Sequence, residues 1–169
     1  GATGLVVKPA HDGSSIGVTK LAEPTVAALR KALEDAAGVR GDEVLVEEYI
    51  HGREFTVAVL DGRALPVIEI RAPEGDYDFN NKYFGDAVHY DCPAKLEDEA
   101  AATLGSLCER AFAAVGARGW SRIDALQRAD GSFALLEINT SPGMTPHSLV
   151  PMAARAVGMD YADLCLKVL

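Results

Sequence analysis

Four residues, Arg122, Asp124, Glu137 and Asn139, have the types and spacing to do chemistry together. They lie on two segments, 120–128 and 132–139, that flank Asp130-Gly131, a strong hairpin signal. A two-residue turn there sets Asp124 directly opposite Glu137 and Arg122 directly opposite Asn139. Side chains on a strand alternate faces, so Arg122, Asp124 and Leu126 share one face with Leu135, Glu137 and Asn139. Ile123, Ala125, Leu136 and Ile138 take the other face and read as core. Two carboxylates facing each other across a ladder repel. Hard oxygen donors of this kind suit Mg²⁺, which commonly bridges to phosphates. Spacing alone leaves two readings open: a metal site beside a phosphate-bearing ligand, or a solvated polar face on which Arg122 pairs with Asp124 or Glu137. A three-residue turn breaks this register.

Other segments carry weaker signals. Lys8 ends an apolar run and is followed by Gly13-Ser14-Ser15-Ile16-Gly17. Glycines admit a phosphate close to the backbone, and hydroxyls and N–H groups can bind its oxygens. The spacing is not that of a P-loop, and most such turns are only turns. Val44 to Ile50 ends in Glu47, Glu48 and Tyr49, with Glu54 just beyond. That set suits an adenine and its ribose, or equally a strand end with solvated acids. Asn139 to Thr145 leads into His147-Ser148-Leu149 at a helix start. Ser148 there either caps the helix or helps to hold a carboxylate.

The elements that must position these residues alternate. Strands are expected at 5–9, 16–21 and 43–50, with a helix after Pro24 that presents Val26, Leu29, Leu33 and Ala36 and stops at Gly38. Strands at 54–60 and 64–70 flank Asp61-Gly62. Residues 72–92 show neither period and read as a long polar loop. A helix over 96–115 presents Leu104, Leu107, Ala111, Phe112 and Val115. A helix over 148–157 ends at Gly158, and Asp160 caps a last helix with Tyr161, Leu164 and Val168 inward.

The chain has 169 residues, 49% of them apolar and 24% charged, enough for a core in one domain or two small ones. A net charge of −9 argues against a broad nucleic-acid footprint, though not against a nucleotide. No apolar run approaches the roughly 18–20 residues of a membrane span, and no signal pattern opens the chain. Cys92, Cys108 and Cys165 form no CxxC pair and read as buried, reduced thiols; the four histidines show no zinc spacing.

Together, VVKPAHDGSSIGV, VLVEEYIHGREFTV, DYDFNNKYF, GWSRID, LLEINTSPGMT and HSLVPMAARAVG resemble the D-alanine–D-alanine ligases, an ATP-grasp family. The resemblance implies an α+β ATP-grasp fold: part of the nucleotide-binding subdomain at 1–53, and a C-terminal catalytic domain at 54–169 with a lid at 72–92. It implies ATP-dependent ligation of two D-alanines through an acylphosphate, for peptidoglycan synthesis in the cytoplasm, by a homodimeric parent that needs neither nucleic acid nor membrane. It assigns Lys8, Ser14, Ser15 and Lys82 to the phosphates and Glu47, Tyr49, Ile50, Leu126 and Leu135 to the adenine. Glu54 holds the ribose. Asp124, Glu137 and Asn139 hold Mg²⁺ or Mn²⁺. Arg122 and Gly143 stabilise the reacting acyl centre, Ser14 also orients the first D-alanine, and Tyr83 closes over the second, whose carboxylate meets Ser148 and Leu149. Tyr rather than Phe at position 83 implies a dipeptide product, not a depsipeptide. Members of this family are longer, so the resemblance implies a fragment without the N-terminal domain. A fragment that binds nucleotide and metal without turnover, or a ligase with another second substrate, are the alternatives.

Overall fold

The computed structural model describes residues 4–11, 15–40, 43–71 and 88–169. These fall into two compact units, one ending at Ile50 and one starting at His51.

In the first unit, strands β1 (Leu5–Pro9), β2 (Thr19–Leu21) and β3 (Val44–Glu48) form an antiparallel sheet in the order β2-β1-β3. Helix α1 (Val26–Arg40) packs Ala32 and Ala36 on Val7, with Leu29, Leu21 and Val44 around them. The expected face is therefore corrected: Leu29, Ala32 and Ala36 form the buried line, while Val26 and Leu33 are exposed within the unit. The helix also runs past Gly38. A glycine inside a helix costs only about 1 kcal/mol, and nothing else at that position stops it. Strand β2 begins later than expected because Ser15 and Gly17, both with positive φ, make a turn through Ile16.

The second unit holds a larger antiparallel sheet in the order β7-β6-β4-β8-β9, with β5 beside β4. Its strands are β4 (Glu54–Leu60), β5 (Arg63–Ala64), β6 (Ile68–Arg71), β7 (His89–Asp91), β8 (Trp120–Gln127) and β9 (Phe133–Asn139). Asp61 and Gly62, both left-handed, form the expected two-residue turn. The strand after it breaks into β5 and β6 around Pro66, which has no N–H to give to the ladder. Of the expected polar loop, residues 72–87 lie outside the described residues, and His89–Asp91 pair with β6 as a strand.

Alternation along β4 and β8 gives this sheet two unlike faces. Phe55, Val57, Val59, Ile123 and Ala125 are buried under α2 (Asp98–Ala114) with its Leu104, Cys108 and Phe112. Val115, expected inward, caps α2 and is exposed. Each fully buried Val, Ile or Phe contributes roughly 1.5–3 kcal/mol. On the opposite face, Ala58, Leu60 and Ile68 pack under α3 (Leu149–Ala156) and α4 (Tyr161–Val168), which bury Val150, Ala153, Ala154 and Leu164. Asp160 caps α4 as expected, its side chain accepting from Asp163 N–H at 2.8 Å. Tyr161 is not inward; it is 40% exposed and donates its hydroxyl proton to the Met144 carbonyl at 2.5 Å.

The cysteines are all free, but only Cys108 is fully buried; Cys92 and Cys165 are partly so. Loss of hydration pushes the Cys108 thiol up to about 12, with Asp124 and Glu109 adding to the shift. Where β4 begins beside β6, Arg53 donates Nε and Nη2 to the two Glu69 oxygens at 2.8 Å each. Those bonds hold the nearly buried Glu69 carboxyl below its ordinary range.

Candidate active site on the sheet face beside α3

The β8–β9 hairpin differs from expectation, and the difference leaves the site intact. Its turn has three residues, Ala129-Asp130-Gly131: Gly131 N–H donates to Arg128 O at 2.9 Å, and Arg128 N–H donates to Ser132 O at 2.8 Å. Gly131 supplies the left-handed conformation that such a loop needs, with φ of 86°. Near the turn the strands are consequently out of the expected register: Leu126 pairs with Ala134 and Ala125 with Leu135. A β-bulge then takes up Leu136, and beyond it Asp124 faces Glu137 and Arg122 faces Asn139 as the sequence predicted.

One assignment changes with the bulge. Leu135 pairs with Ala125 and packs on the core under α2, so it is not on the face of Asp124. Leu136, expected in the core, joins no core cluster and is half-buried beside Glu137. Nothing in the sequence announced it, because a bulge depends on tertiary strain and not on residue type.

Asp124 is 5% exposed and accepts from three donors. Arg122 reaches it with Nε to Oδ1 at 2.9 Å and Nη2 to Oδ2 at 2.8 Å. Thr56, from the neighbouring β4, donates Oγ1 to Oδ1 at 2.6 Å. Glu137 is exposed and accepts from Asn139 Nδ2 at 3.2 Å. The repulsion expected between the two carboxylates is thus met by a guanidinium on one and an amide on the other. The Arg122–Asp124 pairing is the one expected of a solvated face, yet Asp124 is buried. Glu54 and Leu126, a candidate ribose ligand and a candidate adenine wall, are ladder partners on this same face.

After β9 the chain turns back toward α3. Ser148 occupies the N-cap of α3 without a side-chain cap bond. Its Oγ instead accepts from Thr145 N–H at 3.0 Å and shares a bond with Thr145 Oγ1 at 2.9 Å. The Ser148 side chain therefore does not occupy the Leu149 and Val150 N–H groups at the favourable dipole end of α3; Pro151 has none to offer. A side chain at Gly143 would meet Ser148 Oγ at 3.0 Å. Arg155 donates to Pro146 O at 2.7 Å and Tyr161 to Met144 O, so helices α3 and α4 both grip this loop. Leu149 is partly buried against the core beneath α3.

In the first unit, Lys8 Nζ lies 2.6 Å from Glu47 Oε2 on the sheet face opposite α1. Tyr49 and Ile50 are half-buried, and Lys20 Nζ stands 6.0 Å from the centre of the Tyr49 ring. Ser15 sits in its turn with φ of 60°. Ser14, Lys82 and Tyr83 lie outside the described residues.

The model of the D-Ala–D-Ala ligase C-terminus matches residues 3–169. The chain belongs to that family. It is 52% identical over 168 residues to the D-alanine–D-alanine ligase of Bordetella petrii, covering 97% of this chain and 51% of that protein. It is 53% identical to the Bordetella pertussis ligase over 169 residues, covering 98% and 52%. The chain thus spans about half the length of the curated relatives it matches. Among solved structures, the D-Ala:D-Ser ligase VanG of Enterococcus faecalis aligns with a TM-score of 0.84 and 32% identity over 98% of this chain and 48% of that one. The D-alanine–D-alanine ligase of Bacillus anthracis complexed with ATP aligns with a TM-score of 0.79 and 29% identity, over 98% and 50%. The fold is α+β, of the ATP-grasp kind seen in D-Ala ligases.

The donor set of this ligase-family chain fits a hard divalent cation. Asp124 has four lone-pair sites, and donors of the described residues fill three, which leaves one on Oδ2. Glu137 and the Asn139 carbonyl add oxygens at the exposed end. Among the described residues, no cluster of three or more His, Cys, Asp or Glu offers an alternative site. Among the same residues, no helix is long and apolar enough to cross a membrane.

Proposed function

We propose that this chain forms part of the active site of an ATP-dependent ligase that joins two D-alanines for peptidoglycan synthesis in the cytoplasm. The observation that carries this reading is the facing of Asp124 by Glu137 and of Arg122 by Asn139, in a chain of the D-Ala–D-Ala ligase family. A carboxylate oxygen of the first D-alanine attacks the γ-phosphorus of ATP, and the bond to ADP breaks. The amine of the second attacks the acyl carbon, and inorganic phosphate leaves.

Such chemistry rests on positioning and charge neutralisation. Arg122 stands by the acyl centre, its orientation held by Asp124. The Gly143 N–H donates to the developing oxyanion. Ser148 and Leu149, with the N–H groups at the start of α3, receive the carboxylate of the second substrate. Lys8 is drawn from Glu47 to a phosphate; a part-exposed pair of that kind is worth only about 0–1 kcal/mol and yields readily. Lys82, Ser14 and Ser15 add to the phosphate cradle, and Tyr83 closes over the second substrate. Glu47, Tyr49 and Ile50 line the adenine in their unit. Leu126 and Glu54 present an apolar wall and a ribose ligand in theirs. Asp124, Glu137 and Asn139 would hold Mg²⁺ or Mn²⁺, which would neutralise charge on the phosphates. The working protein is a homodimer longer than this chain.

The test is phosphate release by the full-length protein carrying these residues, given ATP, Mg²⁺ and D-alanine. Release that requires all three is expected; none above the rate without D-alanine overturns the reading. The likeness to a D-Ala:D-Ser ligase favours D-serine as the competing second substrate. Replacing D-alanine in part by D-serine or D-lactate separates the two, and a mixed dipeptide as major product would displace the D-alanine reading.

A further inference from the structure

Thr56 has no role in the chemistry derived so far, yet it is the third donor to Asp124. It is 1% exposed, on the central strand β4, and faces Asp124 across the ladder. On that face Ala58, Leu60 and Ile68 beside it are apolar and covered by α3 and α4, while Glu54 and Arg122 carry the charges. Valine has the same shape and suits a strand equally well. Packing alone therefore gives no reason for a hydroxyl, and a buried hydroxyl without a partner is costly. The single proton has two acceptors in view: Ile123 O at 3.4 Å and Asp124 Oδ1 at 2.6 Å. The shorter contact takes it, because hydroxyl bonds to carboxylates are short and strong.

The consequence is geometric. Oδ1 accepts from Thr56 and from Arg122 Nε, so both of its lone pairs are filled. Among the described residues, Oδ2 accepts only from Arg122 Nη2 and keeps one lone pair. Without Thr56 the carboxylate can rotate about its χ2 torsion, which is soft, and the guanidinium clamped to it turns as well. We propose that Thr56 is a positioning residue: through its bond to Asp124 it fixes the plane of that carboxylate, orienting Arg122 toward the acyl centre and the remaining Oδ2 lone pair toward the cation. This rests on the ligase reading above. Groups that orient ligands in this way typically change metal affinity or activity 10–100-fold when removed.

The experiment compares Thr56→Val and Thr56→Ser with the wild type in the full-length protein, with folding checked by circular dichroism. Two readouts are taken: kcat and KM for ATP and D-alanine, and the Mn²⁺ concentration for half-saturation, measured by electron paramagnetic resonance. Thr56→Val is expected to lower kcat about 10–100-fold with KM little changed, and to raise the Mn²⁺ half-saturation about 10-fold. Thr56→Ser keeps the hydroxyl and should stay near wild type in both. Wild-type kcat and Mn²⁺ binding in a folded Thr56→Val protein would overturn the proposal, as would an equal loss in Thr56→Ser. If Thr56→Val does not fold, Thr56→Ala, which also lacks the hydroxyl, is judged by the same criteria. If the wild type releases no phosphate, the ligase reading fails by itself, and the Mn²⁺ titration still decides the role of Thr56; a wild type that binds no Mn²⁺ overturns it.

Discussion

The two faces of the larger sheet share their strands and differ in everything else. Under α2, alternate residues of β4 and β8 are apolar and sealed: Phe55, Val57, Val59, Ile123 and Ala125. One residue along in each strand, the other face begins apolar beneath α3 and α4, then changes to Thr56, Arg122 and Asp124. The lesson is that one period-2 pattern writes two messages. The first face serves stability alone, whereas the second serves it under α3 and α4 and turns polar beyond them. Substitutions on the first face should leave the chemistry proposed for the second nearly untouched.

Phe55→Ala attacks the sealed face and should have the largest effect. A cavity under α2, with loss of the edge-to-face contact to Phe133, should cost about 3–5 kcal/mol of stability in urea unfolding. Below the unfolding temperature kcat should stay within about twofold of wild type, and a larger drop would break the division. Asp124→Ala is the converse case and also its limit, because it removes the buried carboxylate that Arg122 binds through two donors. A loss of up to about 3–5 kcal/mol is expected, together with loss of phosphate release. Rescue of stability but not of rate by a second change, Arg122→Met, would sharpen the separation.

The Arg53–Glu69 pair, between β4 and β6, gives a pH test. The Glu69 carboxyl, depressed chiefly by its bonds from Arg53, stabilises the fold above its unfolded range and ceases to do so as pH falls through the lower folded value. Stability should therefore fall below about pH 4.5, and Glu69→Gln should flatten that part of the profile. An unchanged acid limb in the variant would remove Glu69 from the account. The smallest expected effect is Tyr161→Phe, which deletes one bond to the loop carbonyl of Met144 and should cost about 1 kcal/mol or less. A selective rise in KM for the second substrate would tie that loop to binding; an unchanged KM would leave it structural.

Legibility in the sequence followed the range of the interactions involved. The strands of the site, the helix over 98–114 and the Asp160 cap were readable because period and capping are local. The facing pairs were readable too, though by two compensating departures. The turn is one residue longer than expected, and the bulge at Leu136 takes that residue back. Leu135 and Leu136 bore the difference and exchanged roles. The end of α1 was misread because Gly38 disfavours a helix only weakly, and Val26 and Leu33 because apolar spacing alone did not choose between two adjacent faces. Thr56 was invisible in sequence, since its importance comes from a strand pairing with a residue far along the chain.

The central claim is that the Asp124–Glu137 face serves phosphoryl transfer to D-alanine. The most direct measurement is the rate of inorganic phosphate release with ATP, Mg²⁺ and D-alanine by the full-length protein and by its Glu137→Ala variant. Glu137 is exposed, so its removal should leave stability within about 0.5 kcal/mol of wild type. A rate lower by about 10²–10³-fold or more is expected in that folded variant. A rate equal to wild type would contradict it.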